Sequence, residues 1–196
     1  APTSQRDIVN KLTYDFNGNM LSETDGQRAD GTDIVTRYGY DQYDRQIDET
    51  APGANNGAQV THSTYDRNGN VSDVQTPRGT HIASGYDRLD RLTSTTDGKG
   101  NRTSYDYDAA ANKVAQTAPR GNVAGLSDVL RAKHTSTWTY DGAGEMSSTT
   151  DGLGQKTTFG YDRNGNQALV AAPGAKAGPD DVLQAQTTVR TFDGRD

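Results

Sequence analysis

Residues Tyr86 to Asp108, YDRLDRLTSTTDGKGNRTSYDYD, decide the reading of the whole chain. The stretch begins and ends on a Tyr-Asp pair. Asp97-Gly98 is a two-residue turn signal between two runs rich in Thr, Ser and Tyr, the pattern of a β-hairpin. Thr103, Tyr105 and Tyr107 alternate with Ser104, Asp106 and Asp108, so a period of two sends the rings to one sheet face and the carboxylates to the other. A second turn begins at Asp87, and its Asp90 is a residue type that tolerates a left-handed backbone.

The Tyr-Asp pair recurs along the chain, at Tyr14, Tyr40, Tyr65, Tyr86, Tyr107, Tyr140 and Tyr161, with Phe192 in the tyrosine's place at the last copy. Tyr65 to Tyr86 and Tyr86 to Tyr107 are steps of 21 residues, and the longer steps carry insertions. Counting the tyrosine as position one, the fifth position reads Gly18, Asp44, Gly69, Asp90, Ala111, Gly144 and Gly165. Glycine and aspartate are what a positive φ selects; Ala111 is the misfit and predicts a turn of another type there. A polar residue follows, and an apolar one within three positions: Met20, Ile47, Val71, Leu92, Val114, Met146 and Leu169. Each turn therefore hands over to a new strand that buries something.

Ile, Leu, Val and Phe together make up about 14% of the 196 residues, which is low for an ordinary core. A net charge of −6 is modest for the length, and the repeats are regular, so order is expected, with tyrosine and threonine carrying the burial. A single hairpin cannot bury its apolar face, so neighbouring repeats must stack. The chain has no cysteine, which excludes disulfides, thiolate metal sites and cysteine nucleophiles. No apolar run is long enough for a membrane span, no basic stripe points to nucleic acid, and no signal-peptide pattern is present, although one removed before Ala1 is compatible with the sequence.

Residues 1–10 read as a polar lead-in and 11–196 as a single array of about seven repeats, continuing beyond one or both ends. Leu12 with Tyr14, Tyr38 with Tyr40, Tyr105 with Tyr107, Trp138 with Tyr140 and Phe159 with Tyr161 share strand faces and are the expected anchors. Asp25 to Asp33 reads as a long hairpin tip; Ala51 to Gln59, Ala118 to Lys133 and Ala172 to Gln184 read as Gly-, Pro- and Ala-rich excursions. Short helices are predicted over Asp128 to Lys133, with Ser127 as N-cap, and over Asp180 to Gln186.

The recurring string Y-D-x-x-G-[NR]-[LVM], with T-D-x-x-G between copies, resembles the YD repeat of the Rhs family. Tyr65-Asp-Arg-Asn-Gly-Asn-Val71 and Tyr161-Asp-Arg-Asn-Gly-Asn166 are the closest copies, and the resemblance covers Leu12 to Asp196. It implies an all-β fold, tandem hairpins in a continuous, curved or spiralling antiparallel sheet. In bacterial Rhs proteins and the C component of Tc toxins, such a sheet forms a shell around a toxic domain; in teneurins a similar barrel serves adhesion. The self-cleavage segment that ends an Rhs shell has no counterpart after Tyr161, and the sequence stops inside a repeat at Phe192-Asp-Gly-Arg-Asp196, which predicts a piece of an array or copies that assemble between molecules.

The candidate chemistry is sparse. His62, His81 and His134 fall in or before strands and could form a ladder, but ordinary sheet positions explain them. Asp66-Arg-Asn68-Gly-Asn70 and its siblings at Asp15 and Asp162 resemble a calcium loop, yet glycine falls at the fourth position and the distal Glu is missing. A turn whose Asp carboxylate accepts backbone N–H groups accounts for the same residues. Arg67, Arg88 and Arg163 could pair with Asp across hairpins. No nucleophile elbow or phosphate loop is present. The expectation is a non-enzymatic scaffold without cofactor or metal, secreted or extracellular, whose partners are neighbouring repeats and an enclosed toxin or cargo. The alternatives are an adhesion module binding a surface glycan, with Trp138 as the ligand platform, and a self-assembling filament or ring.

Overall fold

The computed structural model describes residues 10–28, 31–53, 57–173 and 186–190. They form an all-β fold in which strand order equals chain order. The strands are β1 (Lys11–Tyr14), β2 (Met20–Gln27), β3 (Asp33–Tyr40), β4 (Gln46–Pro52), β5 (Ala58–Tyr65), β6 (Val71–Gln75), β7 (His81–Tyr86) and β8 (Leu92–Thr96). They continue as β9 (Arg102–Tyr107), β10 (Lys113–Thr117), β11 (Thr135–Tyr140), β12 (Met146–Thr150), β13 (Lys156–Tyr161), β14 (Gln167–Ala172) and β15 (Gln186–Val189). The chain divides into two compact units, the first ending at Ser84 and the second starting at Gly85, inside β7.

In the first unit, antiparallel pairing runs from β1 through β7, each strand bonded to the next. The tyrosine ends one strand and faces position seven of the next: Tyr14 opposite Met20, Tyr40 opposite Gln46, Tyr65 opposite Val71. One step back the register jumps by two, since Thr13 faces Ser22 and Gly39 faces Asp48. Leu21 and Ile47 are thereby extra residues in their strands, β-bulges that re-aim the chain beside each turn. The second unit repeats the rule, with Tyr107 opposite Lys113, Tyr140 opposite Met146 and Tyr161 opposite Gln167.

One turn serves both ends of the hairpins. At Asp15, the backbone N–H of Gly18 donates to the Asp15 carbonyl (3.3 Å) and that of Asp15 to the Asn19 carbonyl (2.9 Å). The same pair of bonds closes the turns at Asp41, Asp66, Asp87, Asp108, Asp141 and Asp162, and also those at Arg28, Thr76, Asp97 and Asp151. The fourth residue of every one has positive φ, the geometry of a tight turn followed by a glycine-type bulge. Two expectations are corrected here. Ala111 adopts φ +68° within the ordinary turn rather than a different one, because the flanking ladder and the Asp108 carboxylate hold the backbone despite the Cβ cost. The hairpin at Asp97-Gly98 closes through five residues, Asp97 to Asn101, and the positive φ belongs to Gly100 (+82°).

The loops are shorter than their composition predicted. Strand pairing carries β2 to Gln27 and β3 back to Asp33, so the tip predicted at Asp25 to Asp33 contracts to a turn from Arg28 to Thr32. Likewise β4 includes Ala51 and Pro52, and β5 begins at Ala58. The insertion after β10 holds a 3-10 turn at Pro119–Gly121 and a one-turn helix, α1 (Asp128–Ala132), capped by the Ser127 side chain, which accepts from the Leu130 N–H. The helix expected at Asp180 to Gln186 and most of the Ala172 to Gln184 excursion fall outside the described residues; Ala172 and Gln186 themselves belong to strands.

No hydrophobic side chain is buried among the described residues; the buried side chains are Ser94, Thr117 and Ser148. Met20, Ile47, Val71, Leu92, Val114, Met146 and Leu169, expected to be buried, are half-buried. Cross-strand neighbours cover part of a side chain on a sheet, and full burial needs a second layer on top of it. Small hydroxyl residues disappear more easily, as where Thr139 Oγ1 lies 2.7 Å from Ser148 Oγ.

Candidate functional site

The seam between one repeat and the next is where side-chain chemistry concentrates. Each repeat tyrosine ends a strand, and the hydroxyls of five of them reach back to the position-seven carbonyl of the preceding repeat. Tyr40 donates to Met20 (3.0 Å) and Tyr65 to Gln46 (2.6 Å) in the first unit. Tyr107 donates to Leu92 (2.9 Å), Tyr140 to Lys113 (3.0 Å) and Tyr161 to Met146 (3.0 Å) in the second. Phenylalanine would supply the ring without this bond. Tyr14, on the first strand, is 55% exposed; Tyr86 is half-buried at the end of β7; Phe192 lies outside the described residues.

Position six adds a second link. Arg45 and Arg91 each bind their own turn's aspartate, at 2.6 Å to Asp41 and 2.7 Å to Asp87, and stack over the next repeat's tyrosine, 4.5 Å from the Tyr65 centroid and 4.9 Å from that of Tyr107. Arg91 Nη1 also donates to the Asp108 carbonyl at 2.8 Å. Asn19 takes the same role at the first seam, its amide donating to Asp44 Oδ1 (2.7 Å). The turn ion pairs thus involve Arg45 and Arg91 rather than Arg67, Arg88 and Arg163. Position six points along the row of turns, whereas position three, where those other arginines stand, lies on the exposed outer side.

The turn aspartates use their oxygens on the turn itself. Asp108 Oδ1 accepts the Asn112 N–H (2.8 Å) and Oδ2 its side-chain amide (3.0 Å). The amide of the position-six asparagine, joined by backbone N–H groups, holds the carboxyls of Asp15, Asp66, Asp97 and Asp108 below the ordinary value of 3.8. The Arg45 guanidinium does the same for Asp41, and the Asn166 N–H for Asp162. At Asp87 partial burial pushes upward, and the Arg91 bonds outweigh it, so the net shift is again downward. These are the oxygens that a calcium loop would need, and among the described residues no cluster of His, Asp or Glu could hold a metal ion. His62 and His81 bond to Asp48 (2.7 Å) and Asp73 (2.8 Å) on the sheet, while His134 lies in the link to β11.

Trp138 is half-buried in β11, and the Lys113 ammonium stands 4.6 Å from its ring centroid and 5.7 Å from that of Tyr105. The nearby insertion is pinned by Asn122, which sequence reasoning missed. Its amide nitrogen donates to the carbonyls of Arg102 (2.9 Å) and Thr117 (2.9 Å), and its oxygen accepts from the Ser104 hydroxyl (3.0 Å). Nothing in its local sequence, Gly-Asn-Val, marks it. Lys133 then rests on Gly152, whose missing side chain leaves room for the Lys133 carbonyl. A groove of about 550 Å³ lies between α1 and the turn at Asp151. In the first unit another of about 500 Å³ lies between the turns at Asp41 and Asp66.

Residues 86–123 and 140–176 match the family model of the RHS repeat. Among solved structures, the crystal structure of TcdB2-TccC3 without its hypervariable C-terminal region superposes with a TM-score of 0.71 at 17% identity, over 95% of this chain and 10% of that one. The crystal structure of TcdB2-TccC3-Cdc42 gives 0.68 at 18% identity, over 95% and 10%. The Photorhabdus luminescens Tc holotoxin pore gives 0.68 at 18% identity, over 92% and 9%. The likeness is one of fold, and the chain spans about a tenth of the length of the chains it matches. No curated protein matches.

Proposed function

We propose, from the match of residues 86–123 and 140–176 to the RHS repeat, that this chain is a non-enzymatic structural scaffold, a stretch of wall that encloses a toxin or other cargo for secretion. The seam carries the reading. A wall needs neighbouring segments that cannot slide or part, and here three independent links join successive repeats: the strand ladder, the tyrosine hydroxyl bond and the position-six side chain. The register-fixing bulge beside each turn opposes slippage. Such a sheet gains its stability from repetition rather than from a core, so it can be thin and extensive.

The fold likeness to TcdB2-TccC3 structures supports the comparison with toxin assemblies. The test is protease protection in the complete polypeptide to which these repeats belong. A segment enclosed by the repeats should resist a protease that digests the same segment expressed alone, and opening the seams with Tyr107→Phe and Tyr140→Phe together should speed its cleavage. Equal cleavage with and without the repeats would overturn the proposal.

A further inference from the structure

Three of the aspartate turns carry the dipeptide Asn-Gly, at Asn17-Gly18, Asn68-Gly69 and Asn164-Gly165. Their glycine N–H groups are held loosely. Gly18, Gly69 and Gly165 donate to the turn aspartate's carbonyl at 3.3, 3.3 and 3.2 Å, whereas Gly100 and Gly154 do so at 2.8 and 2.9 Å. At the first of these turns the asparagine has a partner across the seam. The Asn17 amide donates to Asp44 Oδ1 at 2.9 Å, and the Asn19 amide reaches the same oxygen at 2.7 Å. Asn17, Gly18 and Asp44 are exposed, and nothing among the described residues lies within 4 Å of where a Cβ of Gly18 would stand. The peptide nitrogen after Asn17 is thus open to water, while the side-chain amide beside it is tethered by a carboxylate.

We propose that Asn17 is a site of spontaneous deamidation, that Asp44 sets its rate, and that the conversion parts the first seam. The Gly18 backbone nitrogen gives its proton to hydroxide and attacks Asn17 Cγ. The new N–Cγ bond closes a five-membered succinimide, the Cγ–Nδ2 bond breaks, and Nδ2 takes a proton from water and leaves as ammonia. Water then opens the ring at either carbonyl, giving aspartate or isoaspartate at position 17. Glycine favours closure because it has no side chain to crowd the attacking nitrogen. Asp44 opposes it twice. Its hydrogen bond must break before Nδ2 can leave, and its charge stands close to the oxygen that becomes anionic as the ring closes. Both products damage the seam. Aspartate keeps the turn but sets one carboxylate against another where an amide had donated, a repulsion between exposed groups that salt screens. Isoaspartate routes the main chain through the side chain and adds a methylene inside the turn. The bonds from Gly18 to Asp15 and from Asp15 to Asn19 then lose their spacing.

This inference is independent of the wall reading. The test incubates this chain at mildly alkaline pH, folded and in urea, and follows position 17 by peptide mapping with mass spectrometry and by isoaspartate methyltransferase labelling. In the folded chain Asp44→Ala should speed conversion at Asn17 about threefold or more, the factor that a hydrogen bond of ordinary net strength supplies. Ala111, at the same place in its own turn with φ +68°, shows that the turn accepts alanine there. Asn164, in the second unit, should convert at its parent rate. Asp44→Asn keeps an acceptor oxygen and should restore part of the protection. In urea the parent and Asp44→Ala should convert Asn17 equally, because the contact across the seam is gone. Asn17→Asp reproduces one product, and amide hydrogen exchange should quicken in the neighbouring turn from Asp41 to Arg45. The same change in an Asp44→Ala chain should add nothing further. An Asp44→Ala chain that converts Asn17 no faster than the parent when folded would overturn the proposal. So would a gain of equal size in urea, or an Asn17→Asp chain whose neighbouring turn exchanges like the parent's.

Discussion

The hydroxyl of a repeat tyrosine bonds to a carbonyl in the preceding repeat, so its energetic worth can be separated from that of the ring. Tyr107→Phe keeps the ring under Arg91 and removes only the bond to Leu92. Urea unfolding should show a loss of about 1 kcal/mol. Tyr14→Phe, at an exposed ring with no preceding strand among the described residues, should cost almost nothing. At Ala111 the opposite change is available: φ is +68°, a region that costs a Cβ-bearing residue roughly 1–2 kcal/mol and glycine little. Ala111→Gly should therefore raise stability by about 1 kcal/mol in the same assay, after the greater unfolded-state freedom of glycine is allowed for. The sequence showed the tyrosines and the positive-φ positions by their spacing. It could not show the hydroxyl's acceptor, because that depends on which backbone carbonyl the register brings beneath the ring.

The hairpin is the next unit of organisation, and its turn is a carboxylate device. Seven of these aspartates, Asp15, Asp41, Asp66, Asp87, Asp97, Asp108 and Asp162, have pKa values below 3.8 in the folded chain. A carboxyl depressed by folding stabilises the folded state above its unfolded pKa, and that stabilisation fades as pH falls through the folded value. The urea midpoint should thus hold steady from about pH 7 to 5 and fall below about pH 4. Asp108→Asn should lower the midpoint at pH 7 and flatten the acid limb; an unchanged acid limb would count against the assignment. Strand positions and turn sites were legible because they repeat. The trimmed loops were not, since Gly26, Ala51 and Pro52 read as loop residues until cross-strand pairing recruits them. Asn122 belongs to an insertion rather than to the repeat, so no second copy in the described chain draws attention to it. Asn122→Ala leaves the Arg102 and Thr117 carbonyls without that partner and should cost about 1–3 kcal/mol. Hydrogen exchange should accelerate across residues 118–134 while β1 to β6 keep their protection.

For the molecule as a whole, the pattern of tyrosines conveyed the all-β class, the hairpins and the antiparallel pairing. It did not convey how little would be buried. A sheet whose buried side chains, among the described residues, are those of Ser94, Thr117 and Ser148 gains its cohesion from the sum of half-covered neighbours, so damage at one seam should stay close to that seam. The groove between the turns at Asp41 and Asp66 was missed for a related reason: Tyr43 is outside the repeat pattern, and Arg45 comes to lie near both its ring and that of Tyr65 only when two turns are set side by side. The agreement of strand order with chain order has a consequence for biosynthesis. Each hairpin can close with residues that leave the ribosome one after another, and a step such as Tyr86 to Tyr107, 21 residues, takes on the order of seconds to synthesise. A hairpin forms in roughly microseconds. The nascent chain can therefore zip onto its own trailing edge as it emerges, and no early strand has to wait for a distant mate.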